Sequence, residues 1–128
     1  MPETQIKYFT PLEAKKTLPL VKKIVRDILN DAFQIRTISE SLNGNIEGNT
    51  EIKLLAANMD GYMNELEEIG CSFKDWNFQI GLVDFPAIID GEEVLLCWRS
   101  DEEDILFYHG YSDGYAGRKP IPEEYLEP

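Results

Sequence analysis

The sequence predicts an α+β domain: a long antiparallel helical hairpin packed on a small antiparallel sheet, a three-stranded meander. Three observations predict it. Apolar residues recur at helical spacing through residues 10–70. Two β-rich segments flank an Asp90-Gly91 pair near residue 90. The chain has 128 residues, 43% of them apolar, which suits one domain around one core. Its parts are the helical hairpin (10–70), the sheet with a glycine-rich loop (80–121) and an extended acidic tail (122–128).

Residues 1–7 read as a frayed start. Thr10-Pro11-Leu12-Glu13 opens the first helix, since Thr10 can cap, proline suits the first helical position, and Glu13 completes a capping box. Pro19 predicts a kink there, or a short helix ending near Thr17 with a longer one after it. Val21, Val25, Ile28, Ala32, Ile35 and Leu42 then form an amphipathic stripe. Ile24, Leu29, Phe33 and Ile38 widen it beyond one seam. Residues 43–49 are a linker with Asn43-Gly44 as a helix stop. Ile52, Leu55, Met59, Tyr62, Leu66 and Ile69 mark a second helix from Thr50 to Ile69, ended by Gly70. Two such stripes joined by a short loop predict an antiparallel pair. The surplus apolar ridges predict a homodimer through the helices.

Residues 71–79 read as an irregular connection whose aromatics, Phe73, Trp76 and Phe78, plug a sheet edge. Leu82–Ile89 and Glu92–Arg99 are rich in β-branched and apolar residues. A two-residue type I′ turn at Asp90-Gly91 pairs Ile89 with Glu92, Phe85 with Leu96 and Val83 with Trp98. Val83, Phe85, Ala87, Val94, Leu96 and Trp98 then share the core face. Leu82, Asp84, Pro86, Leu95, Cys97 and Arg99 lie on the other. Pro86 cannot donate to a ladder, so its strand is an edge or is bulged there. A third strand is expected over 104–109. A four-residue acidic turn puts Ile105, Phe107 and His109 on the core face; a five-residue turn moves His109 to the Asp84 face. The apolar pattern favours the first.

A net charge of −12 argues against nucleic acid and anionic membrane, which both select basic surfaces. With no leader and no long apolar span, a cytoplasmic location is expected. Cys71 and Cys97, two in all, are expected to be reduced buried thiols. The chain has no phosphate loop, dinucleotide fingerprint, zinc-ligand spacing or nucleophile elbow, so no cofactor is assigned. One histidine rules out a multi-histidine metal site within the chain.

The chemistry concentrates in residues 109–118. Glycines permit tight turns there, Tyr111 and Tyr115 offer flat amphipathic surface, and Arg118 can grip a carboxylate or phosphate with two parallel bonds. Asp113, four residues past His109, could orient its ring. In the sheet, Asp84 lies opposite Cys97 and diagonal to Arg99, about 7–8 Å apart at Cα, which predicts an Asp84–Arg99 ion pair. Asp84 and His109 are two strand spacings apart, about 9–10 Å sideways, so shared metal ligation is not expected.

Gly81 to Ala87, Gly91 to Arg99, and the ending Tyr108-His109 through Asp113-Gly114-Tyr115-Ala116-Gly117-Arg118-Lys119-Pro120-Ile121 resemble the bacterial family called domain of unknown function 2203. Tyr8-Phe9-Thr10, Glu13-Ala14 and Leu18-Pro19 are similar to that family's opening. The resemblance covers nearly the whole chain. The matched positions are Asp84, Pro86, Cys97, Trp98, His109, Asp113, Gly114, Gly117 and Arg118. Tyr108 stands where family members often carry tryptophan. The resemblance implies a small prokaryotic cytoplasmic protein of helical hairpin plus sheet, and no activity.

Three functions are therefore carried forward. The first is a binding or interaction module with a small-anion pocket formed by His109, Asp113 and Arg118, flanked by Tyr111 and Tyr115, with Asp84 and Arg99 as further ligand-binding candidates. The second is an enzyme acting on a small anionic substrate, with His109 as general acid/base, Asp113 as its orienter and Arg118 as the anion clamp. The third is a divalent-metal site using Asp113, His109 and further acids.

Overall fold

A computed structural model describes residues 6–127, so most of the frayed start and the final residue lie outside the described residues. Two helices, α1 (Pro11–Ser41) and α2 (Thr50–Ile69), precede five strands: β1 (Ser72–Phe73), β2 (Leu82–Ile89), β3 (Glu92–Arg99), β4 (Phe107–His109) and β5 (Lys119–Pro120). The strands form one antiparallel sheet in chain order, a meander. The expected three strands thus gain a two-residue strand at each edge.

The start of α1 is as its sequence predicts. The Thr10 hydroxyl accepts the Glu13 N–H, and the Glu13 carboxylate accepts the Thr10 N–H. Pro19 does not end a short helix near Thr17; α1 runs through it as one helix. Proline removes the N–H that the Lys15 carbonyl would accept, but Lys15 and Pro19 face solvent, where water can replace it. The flanking Leu18 and Val21 are buried and hold both halves on the core. α2 is capped by the Asn49 side chain on the Ile52 N–H and ends at Gly70. Of the ridge beside the stripe, Ile24 is buried while Phe33 is 62% exposed.

The β2–β3 register matches expectation, with Ile89 opposite Glu92, Phe85 opposite Leu96 and Val83 opposite Trp98. Asp90 and Gly91 have φ of 52° and 79°, as a type I′ turn requires. Val83, Phe85, Ala87, Val94, Leu96 and Trp98 are all buried and join α1 and α2 in one core. At Pro86 the outer side of β2 has no strand neighbour. The Phe9 N–H donates to the Pro86 carbonyl at 2.7 Å. Since N and C=O of one residue point the same way in an antiparallel pair, the missing proline N–H costs β3 nothing.

Two expectations are corrected here. The third strand is shorter, and Leu95 pairs with His109 and Cys97 with Phe107. That is the register of the five-residue turn, so His109 joins the Asp84 face. Tyr108, opposite Leu96, takes the place on the core face instead. The tail is not an extended arm. It makes a 3-10 turn at Glu123–Tyr125, and the Tyr125 hydroxyl accepts the Asp90 N–H and donates to the Asp90 carboxylate. Tyr125 and Leu126 pack on the core.

A buried acid, thiol and imidazole on the outer face

The outer face of the sheet holds the candidate site. Asp84 on β2, Cys97 on β3 and His109 on β4 alternate away from the helices and are 6%, 1% and 4% exposed. Asp84 and Cys97 are direct neighbours. His109 stands one strand further and two residues along, and its ring reaches back over the middle strand. His109 Nε2 lies 3.3 Å from Asp84 Oδ1. Donor atoms of all three residues lie within 4.8 Å of one another. Among the described residues this is the one group of three or more such side chains that converges so closely. The expectation that Asp84 and His109 stand too far apart counted backbone spacing and left out the reach of two side chains leaning together.

The tautomer follows from the backbone. His109 Nδ1 lies 2.8 Å from the Gly110 carbonyl, which can only accept, so Nδ1 carries a proton. Nε2 then meets Asp84 in one of two ways. A neutral ring accepts a proton from a protonated Asp84, or a charged ring donates to the carboxylate. Burial raises the Asp84 carboxyl above its ordinary value, while His109 pulls it down. Burial, followed by the charge of Asp84, pushes the Cys97 thiol up to about 12, and Arg118 opposes this. Cys97 is therefore a protonated thiol. Both cysteines are free and buried, as expected.

The other predicted residues lie around this centre. Arg99 does not pair with Asp84. Its guanidinium binds the Asp101 carboxylate and donates to the Tyr115 hydroxyl at 2.6 Å. Asp113 does not touch the imidazole, because its carboxylate accepts the Gly110 N–H at 3.2 Å. Arg118 donates to Glu102 at 2.6 Å and stacks on Phe107 and Tyr115, at 4.1 and 4.7 Å from the ring centroids. Tyr111 is 54% exposed. Thus Arg99, Tyr115 and Arg118 are brought together, Asp113 braces the turn after His109, and Tyr111 stands apart.

Sequence reasoning missed two participants. Cys97 faces Asp84 in the predicted register, and that pairing was the available signal. Glu102 holds the loop through Arg118 and also accepts the Arg99 N–H, while its carbonyl accepts the Trp98 indole N–H. Nothing in the acidic run 101–104 marks Glu102 out.

Fold and site define a small α+β protein in which a helical hairpin backs a five-stranded meander, with a buried Asp–Cys–His cluster on the far side. The chain belongs to the family described as an uncharacterized conserved protein, DUF2203. The match covers residues 7–121 and so includes the whole sheet and its loop. No curated protein and no solved structure matches it. Among the described residues, no helix is long and apolar enough to cross a membrane.

Proposed function

We propose that this chain is a metal-binding module in which Asp84, Cys97 and His109 hold one divalent ion of the zinc class. One observation carries the reading: an oxygen, a sulfur and a nitrogen donor from three adjacent strands converge within 4.8 Å in a buried layer. The fixed tautomer supports it. Metal-ligating histidines characteristically donate their other ring N–H to a carbonyl or carboxylate, as Nδ1 does to Gly110. Nε2 is then the nitrogen left to bind.

The donor chemistry fits zinc, which accepts thiolate, imidazole and carboxylate. In a tetrahedral set with bonds of about 2.0–2.3 Å, donors stand roughly 3.3–3.7 Å apart. The Asp84–His109 distance of 3.3 Å is already there, and the widest separation needs a contraction of about 1 Å. Three protein donors are the count found where zinc keeps a fourth position for water or a small ligand. An ion would displace the Cys97 proton, so binding releases acid.

The other two readings draw less support. An acid/base at His109 needs a ring that a substrate can reach, yet the ring is buried. An anion clamp at Arg118 competes with Glu102.

Cobalt titration of reduced, metal-stripped protein tests the reading. The expected result is one equivalent bound, with thiolate-to-cobalt absorption in the near ultraviolet that Cys97→Ser abolishes. No such absorption, or its persistence in both Cys97→Ala and His109→Ala, overturns it.

A further inference from the structure

Cys97 is 1% exposed, so an ion reaches the cluster only if something moves. The covering layer is identifiable. Phe107 lies opposite Cys97, which puts its ring on the same face. Arg118 stacks on Phe107 and Tyr115, and Arg99, also of that face, lies 5.6 Å from the Tyr115 ring and bonds its hydroxyl. The run Arg99, Tyr115, Arg118, Phe107 is thus a continuous stack. Upstream, the turn closes on Asp113 with no spare room. A Cβ on Gly110 would sit 2.7 Å from Asp113 Oδ2, and one on Gly117 would sit 2.6 Å from Asp113 Cβ.

We infer that the loop 110–118 is a latch, shut by Arg118 through Glu102 and the Phe107–Tyr115 stack, and that its local opening admits an ion to Asp84, Cys97 and His109. The ion rests on the metal reading above; the closure rests on the packing alone. The latch is built to release. Its core contact is one charged pair and a set of flat surfaces, and the Arg118 Nε–H is buried with no acceptor. That unmet donor penalises the closed state, and hydration relieves it on opening. Elements joined by few apolar contacts open locally well below the global unfolding free energy.

The two buried thiols make the test self-referenced. Cys71 is also 1% exposed, but its thiol donates to the Leu66 carbonyl beside α2, remote in sequence from the loop. Its labelling follows wider unfolding. Metal-free, reduced protein is treated with a disulfide thiol reagent, and peptide mass spectrometry follows each cysteine. Arg118→Gln is expected to speed Cys97 labelling by about tenfold or more, the factor lost with one charge-assisted contact, and to leave Cys71 within about twofold. Tyr115→Phe, which removes the Arg99 tie but keeps the ring, gives a smaller selective increase and serves if Arg118→Gln does not fold. No increase, or equal increases at both thiols, overturns the latch. In cobalt-loaded protein the same substitution should speed extraction by a chelator. Failure of wild-type protein to bind cobalt removes the metal reading, and the thiol result then decides the latch by itself.

Discussion

The two faces of the sheet are built from alternate residues of the same strands, and they behave as different materials. The inner face is apolar throughout and is closed by α1 and α2, whose stripes reach it from across the core. The outer face carries Asp84, Cys97 and His109, and its cover is a loop held by two arginines, two aromatic rings and one glutamate. Burial is nearly equal on both, with Phe85 at 0% and Cys97 at 1%. The difference lies in what water would gain by entering. Opening the inner face exposes hydrocarbon, whereas opening the outer one hydrates groups that are costly to bury. Equal burial therefore does not mean equal stability.

The sharpest way to break this comparison is a pair of truncations. Phe85→Ala removes a fully buried ring that meets Phe9 edge to face at 5.2 Å and should cost about 3–5 kcal/mol. Cys97→Ala, equally buried, should cost about 1 kcal/mol in metal-free protein, because one small group leaves a layer already held loosely. Urea denaturation of both variants decides it, and equal losses would abolish the distinction.

A middle-sized effect concerns the helical layer, which is not free of polar burdens. One carboxylate oxygen of Asp31 is buried without a partner, and burial followed by the charge of Asp27 raises its pKa above the ordinary value. Asp31 therefore carries no penalty in acid, where it is protonated in both states. Its penalty grows as pH rises from the unfolded pKa through the folded one. Asp31→Asn should stabilise the protein by on the order of 1 kcal/mol at neutral pH, and the gain should vanish below the carboxylate range. Thermal unfolding against pH measures it, and a gain that persists in acid would assign the effect to packing.

The smallest expected effect is at the hairpin tip that joins the two faces. Tyr125→Phe removes the hydroxyl bonded to the Asp90 backbone and side chain. It should lower stability only slightly, because the bonds are exposed, and should speed amide exchange at Asp90 with little change elsewhere in β2 and β3.

The same contrast explains what could be read from the sequence. Asp90-Gly91 selects one turn type, and the turn sets the register of sixteen strand residues, so the inner face and the Asp84–Cys97 pairing were legible. Between β3 and β4 no residue selects a turn. The acidic run allows either parity, and Ile105 with Phe107 argued for the wrong one. Ile105 is indeed buried, but from the loop before β4 rather than from a strand. His109 was thereby assigned to the core face, and the cluster could not be assembled. The tail misled for a related reason. Its prolines and acids suggest extension, while Tyr125 and Leu126 supply contacts that only the folded hairpin offers. The edge strands β1 and β5, two residues each, are too short for any periodicity to register.

A meander in strict chain order has a consequence for synthesis. At roughly 5–20 residues per second, α1, α2 and the β2–β3 hairpin are synthesised before His109. All of them rely on neighbours close in sequence, which favours early formation. A folding chain can therefore close its inner face while Asp84 and Cys97 still stand uncovered, a thiol beside an acid whose imidazole has yet to pack. His109 and the covering loop follow Cys97 in the chain, and until they pack Cys97 is open to any oxidant or stray ion it meets.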